Sequence, residues 1–280
     1  MNELPLAIKR SIGKYEPINT EGFTLYPIQV SRYPEFLIAR DAIAFVQQEL
    51  PVELMGRPLL EALFKLDMGG VEGYAPTGLF TGTLLALALA LRLKTDGSIE
   101  ELVNEFGIVV NPEDPTQLKC LRYCVNGEEV QSITPIQYSR LRTIIAAQNG
   151  VELVDENANP ELLRAERDLA LKNMPNLDIS IEQMISSASL ITGEDEGNIY
   201  DWAILKLDKR LEAAKRVLDY VICGVGESQG TKWKGGNPCP HPWFAKLKND
   251  SGALISMETF YGGQGLQAMR NAGAFDDNDA

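Results

Sequence analysis

With 280 residues, 45% of them hydrophobic and 23% charged, the chain has the balance of a folded protein and can bury a sizeable core. A formal charge of −13 argues against sequence-independent binding to nucleic acid or to an anionic lipid surface, and favours solubility or a basic protein partner. Four scattered cysteines cannot staple a chain of this size and read as reduced thiols, and Met1–Arg10 lacks the apolar run of an export signal.

The first element, Phe23–Val30, alternates apolar and polar residues in part and predicts a short strand, which Pro27 confines to an edge. Pro34 suits a first helical position ahead of a helix over Glu35–Leu50, which Pro51 stops. Pro58 opens a second helix to Met68, ended by Gly69 and Gly70. The uncharged stretch Gly73–Leu91 raises the question of a membrane span. It contains Pro76, three glycines and three threonines, and only its second half is strongly apolar. It therefore reads as a buried core helix over Leu79–Lys94, made of good helix formers. Ser98 and Glu101 form a capping box for a short helix to Phe106.

In the middle, Cys120–Val125 and Glu128–Ile133 flank Asn126-Gly127, a strong hairpin signal because both residues tolerate positive φ. Thr134, Pro135 and Gln137 then start a helix that Gly150 stops. Further helices fit Pro160–Asn173 and Ile179–Ile191, with the acidic run Gly193–Gly197 as a loop. From Ile199 to Val225, apolar residues recur at steps of four and three: Tyr200, Ile204, Leu207, Leu211, Ala214, Leu218, Val221 and Val225. The stripe suits either a helix on its own core or an oligomerising coiled coil. Trp202, Leu205, Val217 and Ile222 widen the apolar face and favour the core, so Leu211 and Leu218 are expected to be buried. The predicted fold is mainly α, multi-helix, with a small β-hairpin. A boundary near residue 115 would separate an N-terminal helical domain (1–115) from a hairpin and long-helix domain (116–280), unless the two form one.

No motif for catalysis is complete. Gly226-Glu227-Ser228-Gln229-Gly230 matches G-x-S-x-G, but a nucleophile elbow needs a strand before the serine and a helix after it. Here a long helix precedes it, and no acid lies between Ser228 and the single histidine, His241. Gly230, Lys232, Gly224 and Gly226 complete neither a phosphate loop nor a dinucleotide fingerprint. Cys120 and Cys124 share a strand face with Arg122, while Cys223, Cys239 and His241 could add soft ligands. Their spacings are not those of zinc knuckles, so no metal and no cofactor is expected, and buried small thiols are the plainer reading.

Two blocks resemble uncharacterised proteins of tailed bacteriophages and prophages of Gram-positive bacteria. One is Tyr26-Pro27-Ile28-Gln29-Val30, with Tyr33 and Phe36, leading to Gln48–Pro51 and Arg57–Leu63; the other is Lys232–Pro240. Genes of this kind tend to lie in the tail-morphogenesis region, near the tape-measure gene. The resemblance implies a tail-assembly or virion structural protein and carries over no catalytic residue. It implies tail or virion proteins as partners, self-association among the options, and residence in the host cytoplasm during assembly or in the virion. The alternative is a cytoplasmic enzyme with its site in the glycine- and tryptophan-rich loop 224–244. Within that loop, Trp233, Trp243 and Phe244 supply contact area, and Lys232 and Lys234 form a basic island on an acidic chain. These five residues are the expected interaction site, with a lid over the end of the long helix as the other reading.

Overall fold

The computed structural model describes residues 4–68, 71, 73–94, 96–125, 129–154, 180–231 and 239. The chain divides into two units, Met1–Leu211 and Glu212–Ala280. In the first unit, α1 (Leu6–Lys14) leads into a two-stranded antiparallel ribbon. Its strands are β1 (Ile18–Thr20) and β2 (Phe23–Leu25), with Ile18 opposite Leu25. The ladder ends at Leu25, ahead of Pro27, which has no N–H to donate. The strand is thus shorter than the alternation predicts.

The segment after β2 is held by other means. Tyr26 N–H donates to Ala90 O at 2.7 Å and Ile28 N–H to Asn149 Oδ1 at 2.9 Å. Ile28 O accepts from Ile204 N–H at 2.9 Å, and the N–H groups of Val30 and Ser31 reach the carbonyls of Trp202 and Tyr200. Asn149 is buried, and its Nδ2 donates to Ile145 O at 2.8 Å. One short extended stretch therefore ties three distant parts of the chain, with every polar group of the Asn149 amide engaged.

Helix α2 spans Tyr33–Ala44, with Pro34 in its first turn. It stops six residues earlier than the predicted Leu50, because Phe45 and Val46 are extended and Gln47–Glu49 is a separate 3-10 turn. Helix α3 (Leu59–Asp67) buries seven of its nine residues, Glu61 among them, and that carboxylate pairs with Arg57 one turn back. Helix α4 (Leu79–Leu91) buries ten of thirteen and packs against α2, α3 and β2. Leucine and alanine on every side of a helix leave no face for water, so α4 is the centre of the first unit.

Two local devices place α4. Its N-terminus is capped by the carboxylate of Asp67, the last residue of α3. Asp67 Oδ1 accepts from Thr77 N–H (2.6 Å), Thr77 Oγ1 (2.8 Å) and Gly78 N–H (3.1 Å), and Oδ2 accepts from Phe80 N–H (2.8 Å). Its approach to α2 is set by Gly82: a Cβ there would lie 2.9 Å from Ala42 Cβ and 3.3 Å from Ile38 O. At the other end Arg92 turns into the left-handed region (φ 51°), which closes the helix three residues before the predicted Lys94.

Helix α5 (Ile99–Val103) carries the predicted capping box, with Ser98 and Glu101 exchanging hydrogen bonds. An antiparallel sheet follows, ordered β3 (Gly107–Val110), β4 (Leu118–Val125) and β5 (Glu129–Ile133). The hairpin is present, with Val125 opposite Glu129, and its turn 126–128 lies outside the described residues. Strand β3, absent from the sequence reading, pairs Gly107 with Arg122 and shifts register between Val109 and Val110. Leu121 and Tyr123 face the core, while Cys120, Arg122 and Cys124 share the other face. Helix α6 (Pro135–Gln148) opens on the capping box of Thr134 and Gln137 and packs on α2, α3 and β4. Residues on both sides of the boundary expected at 115 thus belong to one unit.

Helix α7 (Ile181–Thr192) starts on a third capping box, Ser180 with Gln183, and ends at Gly193 in the left-handed region. The helix predicted over Pro160–Asn173 lies outside the described residues. The acidic run is only in part a loop, since Asp195 caps the single turn α8 (Glu196–Ile199). Helix α9 (Ile204–Ser228) starts later than predicted and continues past Val225. The fold is mainly α with a minor β component, as the sequence predicts. Among the described residues no helix is long and apolar enough to cross a membrane.

Gly82→Ala adds helix propensity of up to about 1 kcal/mol, yet it forces α2 and α4 apart. We expect a net loss of about 1–3 kcal/mol in urea unfolding, partly restored by adding Ala42→Gly. Asp67→Ala removes four accepted hydrogen bonds at a helix N-terminus and should cost about 1–2 kcal/mol by the same measurement.

Candidate interaction surface

The long apolar stripe behaves in two ways along one helix. At its start, Trp202 is buried and the ammonium of Lys206 lies 3.8 Å from the centre of its ring. Burial lowers the pKa of that amine from its usual value, and the neighbouring Arg210 adds to the effect. Ile204 and Leu207 are completely buried in the core of the first unit, and Leu211 packs partly buried against it. That half of the stripe is a core seam.

The second half, in the second unit, is open. Val217, Leu218, Val221, Ile222 and Val225 are all exposed, Leu218 at 59% and Ile222 at 64%. Leu218, Val221 and Val225 continue the four-and-three spacing, and Val217 and Ile222 flank them, so the five side chains form one apolar face about two to three turns long. No charged residue lies between Val217 and Ile222 on this face; Asp219 is on the far side. The expectation of a buried Leu218 is therefore corrected. The spacing fixes a common face, but whether that face is covered depends on what packs there. Contiguous exposed apolar area on a chain this acidic marks a contact surface.

The motifs considered for chemistry fall as follows. Gly224–Ser228 belong to the last turns of α9, so the loop proposed from 224 begins later. Ser228 Oγ donates to Val225 O at 2.7 Å, the local bond of a helical serine, and a helix rather than a strand precedes it. Cys223 is buried beside Cys239; burial first, and then that neighbouring thiol with Asp219 and Glu227, raises the pKa of the Cys223 thiol. Cys124 is exposed and Cys120 and Cys239 are half-buried, which corrects the reading of three or four of them as buried thiols. Among the described residues no three Cys, His, Asp or Glu side chains converge. Lys232, Trp233, Lys234, Trp243 and Phe244 lie outside the described residues, as does His241.

No protein-family model, curated protein or solved structure matches this chain.

The two halves of the stripe should respond oppositely to truncation. Leu207→Ala should cost about 2–5 kcal/mol of unfolding free energy, whereas Leu218→Ala should stay within about 0.5 kcal/mol. Equal losses at both positions in chemical denaturation would mean that Leu218 is covered.

Proposed function

We propose that this chain is a non-enzymatic tail-assembly or virion structural protein of a tailed phage that works through protein–protein contacts. The observation that carries the reading is the apolar face Val217–Val225, which continues a core seam into solvent. The phage assignment rests on the resemblance of the blocks around Tyr26–Phe36, Arg57–Leu63 and Lys232–Pro240. A protein that acts by docking needs surface of this kind and no convergent set of reactive groups.

The partner is another tail or virion protein or a second copy of the chain. For a second copy, charge selects the arrangement. Parallel pairing in the heptad register sets Arg210 of one copy against Lys215 of the other, a like-charge contact at flanking positions. Antiparallel pairing avoids this and places Leu218 across from Val221, with Lys215 meeting the apolar Ile222 along its stem. A face of a few hundred Å² falls short of a standard stable interface, so the contact is a weak or transient one unless other surface joins it.

Affinity capture from infected or co-expressing cells tests the reading. The full chain should recover a tail-tube or tape-measure protein or a tagged second copy, and Leu218→Asp with Ile222→Asp should abolish recovery without lowering the melting temperature. Undiminished recovery by that double variant would remove the helix from the contact. A monomer that recovers no virion protein and co-purifies with a metabolite would overturn the function.

A further inference from the structure

A second feature of the first unit is independent of the long helix. A cleft of about 350 Å³ opens between the β1–β2 ribbon, the C-terminal end of α4 and the β4–β5 hairpin, where Tyr123 and Gln131 lie opposite each other. Its polar groups come from Thr24, Tyr26, Arg92, Tyr123, Cys124 and Gln131. Among the described residues no Asp or Glu lines it, although the chain carries 39 acidic residues against 26 basic ones. Two acids near it in the chain or fold are already engaged: Glu21 is bonded to Arg140, and Glu105 to Lys94 at 2.7 Å.

The cation in this cleft is differently placed. Arg92 is exposed, and its guanidinium carbon stands 4.6 Å from the centre of the Tyr26 ring. That stacking orients the planar group while leaving its N–H edge unused, and Arg92 has no carboxylate partner among the described residues. The residue also sits in the left-handed region as the cap of α4, where glycine would fit without strain. On the opposite wall Tyr123 Oη donates to Gln131 Oε1 at 2.6 Å, which leaves the Gln131 Nε2 donor without an acceptor among the described residues. The cleft therefore offers a guanidinium fork, an amide donor and the half-buried Tyr26 ring, with no carboxylate among its described residues.

We propose that this cleft binds the carboxylate of a small, flat organic acid, with Arg92 as the bidentate anchor. The fork matches the two oxygens of a carboxylate, the stacked planes of Arg92 and Tyr26 suit a planar body held in the plane of the guanidinium, and the volume is at the lower end for ligand sites. Benzoate is the probe, titrated into the isotope-labelled full chain while amide shifts are followed. Saturable shifts should centre on Thr24, Arg92, Cys124 and Gln131, and the neutral isostere benzamide should produce none. Arg92→Gly keeps the left-handed backbone while deleting the cation, and should weaken benzoate about tenfold or more with the melting temperature held or raised. Arg92→Lys, a point charge without the fork, should fall between. A short peptide with a free C-terminal carboxylate, compared with its amide, identifies the source of the group. Tighter binding than benzoate, lost on amidation, assigns it to a chain terminus, and weaker binding assigns it to a free acid. Equal binding of benzoate and benzamide, shifts unchanged in Arg92→Gly, or no saturation would overturn the proposal.

Discussion

Everything in the first unit is arranged around a helix that has no outside. Helix α4 is leucine and alanine on all faces, so it cannot be stable until each face is covered. Its neighbours are correspondingly constrained: α2 must approach closely enough that position 82 has no room for a Cβ, and α3 must end where Asp67 can reach over the first turn of α4. The cap sits at the exposed end of the helix, where its four accepted hydrogen bonds fix the point at which the buried turns begin. The carboxylate thus ties the end of α3 to Thr77 and Gly78 as well as to the helix start.

The segment from Tyr26 to Ser31 performs the complementary task of joining parts that are far apart in the chain. Its backbone groups bond to α4, to the end of α6 and to the turn before α9. The structural role of these residues is to hold the core together. Pro27 fits this role, since a segment bonded on several sides in turn has no need of a continuous ladder. The same tie sets Tyr26 below Arg92, so the cleft inherits its geometry from the core rather than from a mobile loop.

Local signals in the sequence were legible where their physics is local. The capping boxes at Ser98 and Thr134 appear as their spacing predicts, because both partners lie within one turn. The left-handed stop at Gly150 and the β4–β5 hairpin follow for the same reason. Strand β3 escaped notice because only four residues long, next to a helix, it shows too little alternation to identify. The two halves of α9 could not be told apart, because a heptad pattern records a shared face and carries no information on its cover. The cleft was illegible for a related reason: Tyr26, Arg92 and Gln131 come from separate elements, and only tertiary packing brings them together. The residues expected to form an interaction site, Trp233 and its neighbours, fall outside what the structure describes.

Asn149 is followed by Gly150, the dipeptide in which an asparagine side chain is attacked most readily by the next backbone nitrogen. In the native chain that chemistry is held off: both ends of the amide are hydrogen-bonded and the residue is 2% exposed. In an unfolded chain nothing restrains it, and the product is an aspartate or isoaspartate. On refolding, such a residue would bring a charge into the core and set an oxygen where Nδ2 had donated to Ile145 O. Asn149 is therefore a clock that runs only while the chain around it is unfolded, and chains kept hot or in denaturant progressively lose their way back.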